Sequence, residues 1–131
     1  MANEIILDTS ILVEYVFATK TGKVAKEIIE DPGNIILVPS IVLAEFVSKL
    51  ERIGNRNTSE IVTALGGYST FMPVNWETCL RAGRTHAELK KIEDNISLVD
   101  CIIMEMAKEH KNAIVLTTDR HFKHYKNSKI L

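Results

Sequence analysis

The sequence predicts an α/β protein, three layers deep (α/β/α), built on a mostly parallel central sheet. Two observations carry that reading. Short apolar runs without alternation recur at residues 5–7, 35–38 and 113–116, as expected of strands buried on both faces. Stretches of helical period separate them, and such alternation is the pattern of a parallel sheet covered by helices. No repeat, low-complexity segment or linker interrupts it, so residues 1–131 read as one domain.

In chain order, Ile5, Ile6 and Leu7 form the first strand, a run too short to be a helix of its own. Thr9 or Ser10 caps a helix over 11–17, closed by the punctuation at 19–22. Val24, Ala25, Ile28 and Ile29 give 23–30 helical spacing, and Asp31-Pro32-Gly33-Asn34 turns the chain. Residues 35–38 are a β-branched second strand. Pro39-Ser40 starts a helix to about Ile53, which Gly54-Asn55 ends. Asn57 or Thr58 caps the next, weakening at Gly66-Gly67, and 71–74 is a brief third strand. Asn75 caps a helix over 76–91 with Cys79, Leu80, Gly83 and Ala87 on one side. A polar connection over 91–96 leads to Ser97, which caps a helix to His110. Residues 113–116 are the fourth strand, and 128–131 add a short edge strand.

Composition bounds the function. The chain is 46% hydrophobic and 25% charged over 131 residues, enough to bury a core without cross-links. A net charge of -1 excludes a generally basic nucleic-acid binder, but not an enzyme that grips a phosphodiester locally through a metal ion. Cys79 and Cys101 lack paired spacing and sit in apolar helical patterns, so both read as reduced and buried. The opening Met-Ala-Asn-Glu has neither a basic flank nor an apolar leader. The longest apolar stretch, 35–44, is broken by Pro39-Ser40 and too short to span a bilayer. The expectation is a cytoplasmic protein that does not contact a membrane.

Four acids stand out. Asp8 ends the first strand, where open parallel sheets place their ligand sites, although a cap or turn residue would also be Asp. Glu45 falls with Ser48, Lys49 and Arg52, opposite a stripe of Leu43, Val47 and Leu50. A solvated Glu45–Lys49 pair explains it as well as a place at the rim of something buried, beside Ile41 and Val42. Asp100 lies opposite the charged stripe Glu105, Lys108 and Glu109, flanked by Ile103, Met104 and Ala107. A capping box with Ser97 explains a helix start there, but not the apolar flank, which calls for a cation or proton beside the carboxylate. Asp119 follows the fourth strand, where turn chemistry alone accounts for it. Taken together, all four follow a strand end or occupy an early turn of the succeeding helix. Carboxylates so crowded stay ionised only with a divalent cation among them. Oxygen ligands with no histidine at metal spacing indicate Mg²⁺ or Mn²⁺, which activates water and neutralises a phosphoryl transition state.

Leu7-Asp8-Thr9-Ser10, Ala44-Glu45-Phe46, Ile96-Ser97-Leu98-Val99-Asp100 and Leu116-Thr117-Thr118-Asp119-Arg120-His121-Phe122 resemble the successive signatures of PIN-domain proteins. In order, spacing and length they are similar to the VapC-type ribonuclease toxins of toxin–antitoxin pairs, and the resemblance covers essentially the whole chain. It implies a PIN-like fold and a metal-dependent ribonuclease. Asp8, Glu45, Asp100 and Asp119 match the family's acids, Thr117 its hydroxyl position before the last acid, and Ser10 a small polar residue beside the first. A homodimer is implied, silenced by a cognate antitoxin whose tail enters the acidic cleft. The chain departs from the pattern in one place: some PIN domains carry a further Asp after the last acid, and here His121 falls close by. That bears on the hold on a second metal ion, not on the first.

The function expected is hydrolysis of an RNA phosphodiester. Asp8 and Asp100 would hold the ion, while Glu45 or Asp119 orients the water or holds a second ion. Arg120, Lys123, Lys126 and Lys129, with His121 and His124, offer a basic rim for the RNA backbone, or else an ordinary solvated surface. Two rivals exist. A phosphatase using Asp8 as nucleophile would want a second Asp where Ser10 stands. A non-catalytic PIN-like binding module would be expected to have lost acids, and all four are present.

Overall fold

The computed structural model describes residues 3–131; Met1 and Ala2, on which part of the leader reading falls, lie outside them. The strands β1 (Asn3–Leu7), β2 (Asn34–Pro39), β3 (Thr70–Met72), β4 (Ile114–Thr117) and β5 (Ser128–Ile130) form one sheet in the order β3-β2-β1-β4-β5. Every neighbouring pair is parallel, so the mostly parallel sheet of the sequence reading is parallel throughout. Its helices are α1 (Thr9–Val16), α2 (Lys20–Ile29), α3 (Ser40–Arg52), α4 (Thr58–Gly66), α5 (Trp76–Leu89) and α6 (Leu98–Glu109). Among the described residues, no helix is long and apolar enough to cross a membrane.

The strand order fixes where a site can form. From β1 the chain steps outward to β2 and β3, then returns across the sheet to β4 and β5. Right-handed crossovers therefore put α1 to α4 on one face and α5 and α6 on the other. The contacts agree: α1 touches α2 and α3, α3 touches α4, and α5 runs along α6. The direction reverses between β1 and β4, and a crevice opens beyond the carboxyl ends of that pair. Both strands are central and dry there. Ile6, Leu7, Val115, Leu116 and Thr117 are fully buried, and the register sets Leu7 beside Leu116.

Several local expectations change. Asp8, not Thr9 or Ser10, caps α1, its side chain accepting from Thr9 N. Gly22 is no punctuation but a position inside α2, which Thr19 caps. The buried stripe of α3 is Val42, Phe46 and Leu50, one residue round from the expected Leu43, Val47 and Leu50. Strand β3 starts at Thr70 and ends at Met72, before Pro73. The largest difference is α5, where Cys79, Leu80, Gly83 and Ala87 face outward and Thr78 and Ala82 face in. Cys79 is accordingly exposed, while Cys101 is buried as expected. The cause lies in α6, buried without a break from Asp100 to Ala107, including Glu105, which the sequence placed on a charged stripe. Arg81, Thr85 and Lys108 surround the Glu105 carboxylate, and Arg81 also pairs with Glu109. That polar seam turns α5 toward α6 by its hydrophilic side.

Candidate active site

Asp8 is the centre of the crevice. It leaves β1 in extended conformation and is 6% exposed, so its carboxylate needs partners. Oδ1 accepts the Thr9 backbone N–H at 2.8 Å, and Oδ2 accepts the hydroxyls of Thr117 at 2.7 Å and Ser10 at 2.9 Å. Thr117 is the last residue of β4, and the pairing of β1 with β4 is what brings it across. The hydroxyls are held in turn: Thr118 N–H donates to Ser10 Oγ at 3.0 Å and Asp119 N–H to Thr117 Oγ1 at 2.9 Å. A single hydrogen-bonded lattice thus ties the ends of both strands to the first turn of α1. Burial pushes the Asp8 carboxyl above its usual range, against the lowering effect of Thr117, Ser10 and Thr9, and the charge of Asp119 adds to the rise.

Asp100 approaches from the other face of the sheet. The Ser97–Asp100 capping box is present: Ser97 Oγ accepts Asp100 N–H at 3.0 Å and Asp100 Oδ2 faces Ser97 N–H at 3.4 Å. The cap and the site are one residue, since helix start and crevice coincide. Ile103, Met104 and Ala107 are buried beside it, as the periodicity implied. Burial first, then the charges of Asp119 and Asp8, push the Asp100 carboxyl up to about 6. Asp119 caps the 3₁₀ helix Arg120–His124, its Oδ1 accepting His121 N–H at 2.8 Å. The charge of Asp119 thus bears on both Asp8 and Asp100, and that of Asp8 on Asp100.

Glu45 stands apart. It is exposed on α3, and its Oε1 accepts from Thr9 Oγ1 at 2.7 Å, a bond reaching the first turn of α1 that favours the rim reading over a solvated pair with Lys49. Glu45 and Thr9 share a groove of about 500 Å³ with Ser48, Lys49 and Arg52. It lies at the rim rather than within the tight set.

The sequence reading missed one member. One ligand atom each of Asp100, Asp119 and His121 lies within 4.8 Å of the others, which corrects the expectation of a set without a histidine at metal spacing. The spacing Asp119-x-His121 was visible; the 3₁₀ turn that folds the ring back was not. The expected basic rim is only partly there. Lys123 and His124 are turned to Glu93, at 2.9 and 3.1 Å, and Lys129 lines a cavity with Asn3 and Asn34 at the far ends of β1 and β2.

The donor set fits a hard divalent cation. Carboxylates dominate it, and burial first, then neighbouring negative charge, holds Asp8 and Asp100 above their ordinary range.

Comparison with known proteins bears on the family and the fold. The family model for the PIN domain matches residues 5–127. No curated protein matches the chain in sequence. Among solved structures, the chain is similar to VapBC2 from Rickettsia felis bound to a promoter DNA fragment, at TM-score 0.74 and 20% identity, covering 98% of this chain and 97% of that one. It is similar to VapC20 of Mycobacterium tuberculosis, a sarcin-ricin loop cleaving toxin, at TM-score 0.73 and 17% identity over 92% and 93% of the two chains. DNA-bound VapBC from Salmonella typhimurium gives TM-score 0.74 and 16% identity over 100% and 98%.

Proposed function

Given that the chain belongs to the PIN domain family, we propose that it is a metal-dependent ribonuclease, the toxin of a toxin–antitoxin pair. The observation that carries the reading is that Asp100 and Asp119 meet within 4.8 Å at the switch point, beside Asp8, which Thr117 ties to Asp119, with burial and the two neighbouring charges raising the Asp100 carboxyl to about 6. Mg²⁺ or Mn²⁺ is the cofactor such a set selects, and Asp8, Asp100 and Asp119 are the residues to hold it. A bound ion of this class supplies Lewis-acid polarisation of a phosphoryl oxygen and a water of lowered pKa.

The chain's own groups do the rest. Thr117 and Ser10 fix one oxygen of Asp8 and Thr9 N–H the other, so the carboxylate is positioned before any ligand arrives. Asp119 is fixed the same way by His121 N–H. Glu45, bonded to Thr9 at the rim, is the residue that would orient the attacking water and take its proton. Lys49 and Arg52, in the same groove, offer charge to RNA phosphates flanking the cleaved bond. An aspartate-nucleophile phosphatase is the poorer reading, because Ser10 occupies the place of its second Asp and supplies a hydroxyl to Asp8 instead of a carboxylic acid.

Likeness to VapBC assemblies supports an antitoxin partner; a homodimer and a cytoplasmic setting belong to the reading through the family resemblance alone. Cleavage of a panel of structured RNAs, with Mg²⁺, with Mn²⁺ and with excess EDTA, tests the proposal. Cleavage is expected with either ion and lost in EDTA; equal cleavage in EDTA would overturn the metal mechanism.

A further inference from the structure

One side chain at the acidic site has no part in the function proposed above. His121 follows Asp119 by two residues, and its backbone N–H closes a turn onto Asp119 Oδ1 at 2.8 Å. The turn brings the imidazole back over the acids. Its Nδ1 lies 3.3 Å from Asp119 Oδ1 and 3.8 Å from Asp100 Oδ2. Two donors sharing one octahedral ion at ~2.1 Å lie about 3 Å apart when adjacent and about 4 Å when opposite. The separations of 3.3 and 3.8 Å fall within that span. The other histidines are engaged elsewhere: His86 Nε2 lies 3.1 Å from Ile96 O, His110 beside Glu4, and His124 against Glu93.

We propose that His121 Nδ1 is a nitrogen ligand of the ion held by Asp100 and Asp119, and that it biases the site toward Mn²⁺ over Mg²⁺. The inference rests on the metal-site reading above. Mg²⁺ takes oxygen donors and gives up its waters reluctantly, so an imidazole adds little to its binding. First-row transition ions accept imidazole readily, and a nitrogen among carboxylates shifts preference toward them. With Nδ1 on the ion, the ring proton sits on Nε2, a tautomer open to a neutral histidine.

The test uses Mn²⁺ alone as probe, with the full chain and no RNA. Pulsed electron paramagnetic resonance detects nitrogen coupling when an imidazole is bound directly to Mn²⁺. The wild type is expected to show it. His121→Ala should keep a Mn²⁺ site but lose the coupling, with the Mn²⁺ Kd raised at least about tenfold. Its Mg²⁺ Kd, read by competition, should change less than about twofold. Bound Mn²⁺ without nitrogen coupling in the wild type overturns the assignment while leaving the carboxylate site standing, as do equal losses for both ions. A wild type that takes up no Mn²⁺ overturns the metal-site reading itself. Should His121→Ala fail to fold, ¹⁵N-histidine labelling of the wild type decides: the coupling changes with the label or the assignment falls.

Discussion

At the scale of single residues, Asp100 joins two jobs that sequence reasoning had set against each other. It closes a capping box with Ser97 and it carries a carboxyl raised to about 6. A raised acid means that the folded chain holds the proton more tightly than the unfolded chain does. The folded state is therefore penalised as pH rises from 3.8 through about 6, and the penalty is complete above that value. Over that interval it is on the order of 3 kcal/mol. Asp100→Asn removes the charge while its amide oxygen can still accept from Ser97 N–H. In metal-free buffer at neutral pH the variant should melt several degrees higher than the wild type, and the difference should vanish by about pH 4, near the unfolded reference value. RNA cleavage should be abolished. A variant that melts lower at every pH would show that Asp100 serves the helix cap alone. Cys101, its neighbour, is pushed up to about 11 by burial first and by the charges of Asp100 and Glu105, which leaves it a packed thiol and no nucleophile.

At the scale of elements, what was legible was what the chain decides within a turn of itself. Asn75 and Ser97 cap their helices as read, because the bond from each side chain runs only three residues along. The buried runs at β1, β2 and β4 announced themselves because parallel strands are dry on both faces. What was not legible depended on who arrives opposite. Cys79, Leu80, Gly83 and Ala87 share one side of α5 in the sequence, and only the buried Glu105 of α6, which draws in Arg81 and Thr85, turns the other side inward. Gly22 looked like a helix end because nothing local shows that α1 crosses there. An added Cβ would stand 1.9 Å from Glu14 O and 2.5 Å from Glu14 C, both backbone atoms that cannot swing away. Gly22→Ala should therefore destabilise by about 2 kcal/mol or more, although Ala is the better helix former. Denaturant unfolding checks it. An unchanged midpoint would mean that α1 and α2 do not pack at this distance.

At the scale of the whole molecule, the site exists because strand order reverses between β1 and β4, bringing Asp8, Thr117 and Asp119 to one edge from opposite ends of the chain. Three acids could be named from the sequence because each sits next to a strand end or helix start that could also be named. Glu45 was placed less well, since its bond to Thr9 depends on how α3 leans on α1. Nothing in the sequence marks His121 as a ligand, because its approach depends on a 3₁₀ turn that no periodicity announces. If the reversal gathers these acids around one cation, proton and metal must compete for the same oxygens. The cation binds only the folded, ionised site, and at a hundred times its Kd it should add about 2.7 kcal/mol of stability. The decisive measurement is the melting temperature with and without Mn²⁺ from about pH 7 to about pH 4.5, a range spanning the raised carboxyl of Asp100. The Mn²⁺-induced rise should be largest at neutral pH and shrink steadily as pH falls through about 6. A rise that is absent at neutral pH, or that grows toward acid, would show that Asp8, Asp100 and Asp119 do not share an ion.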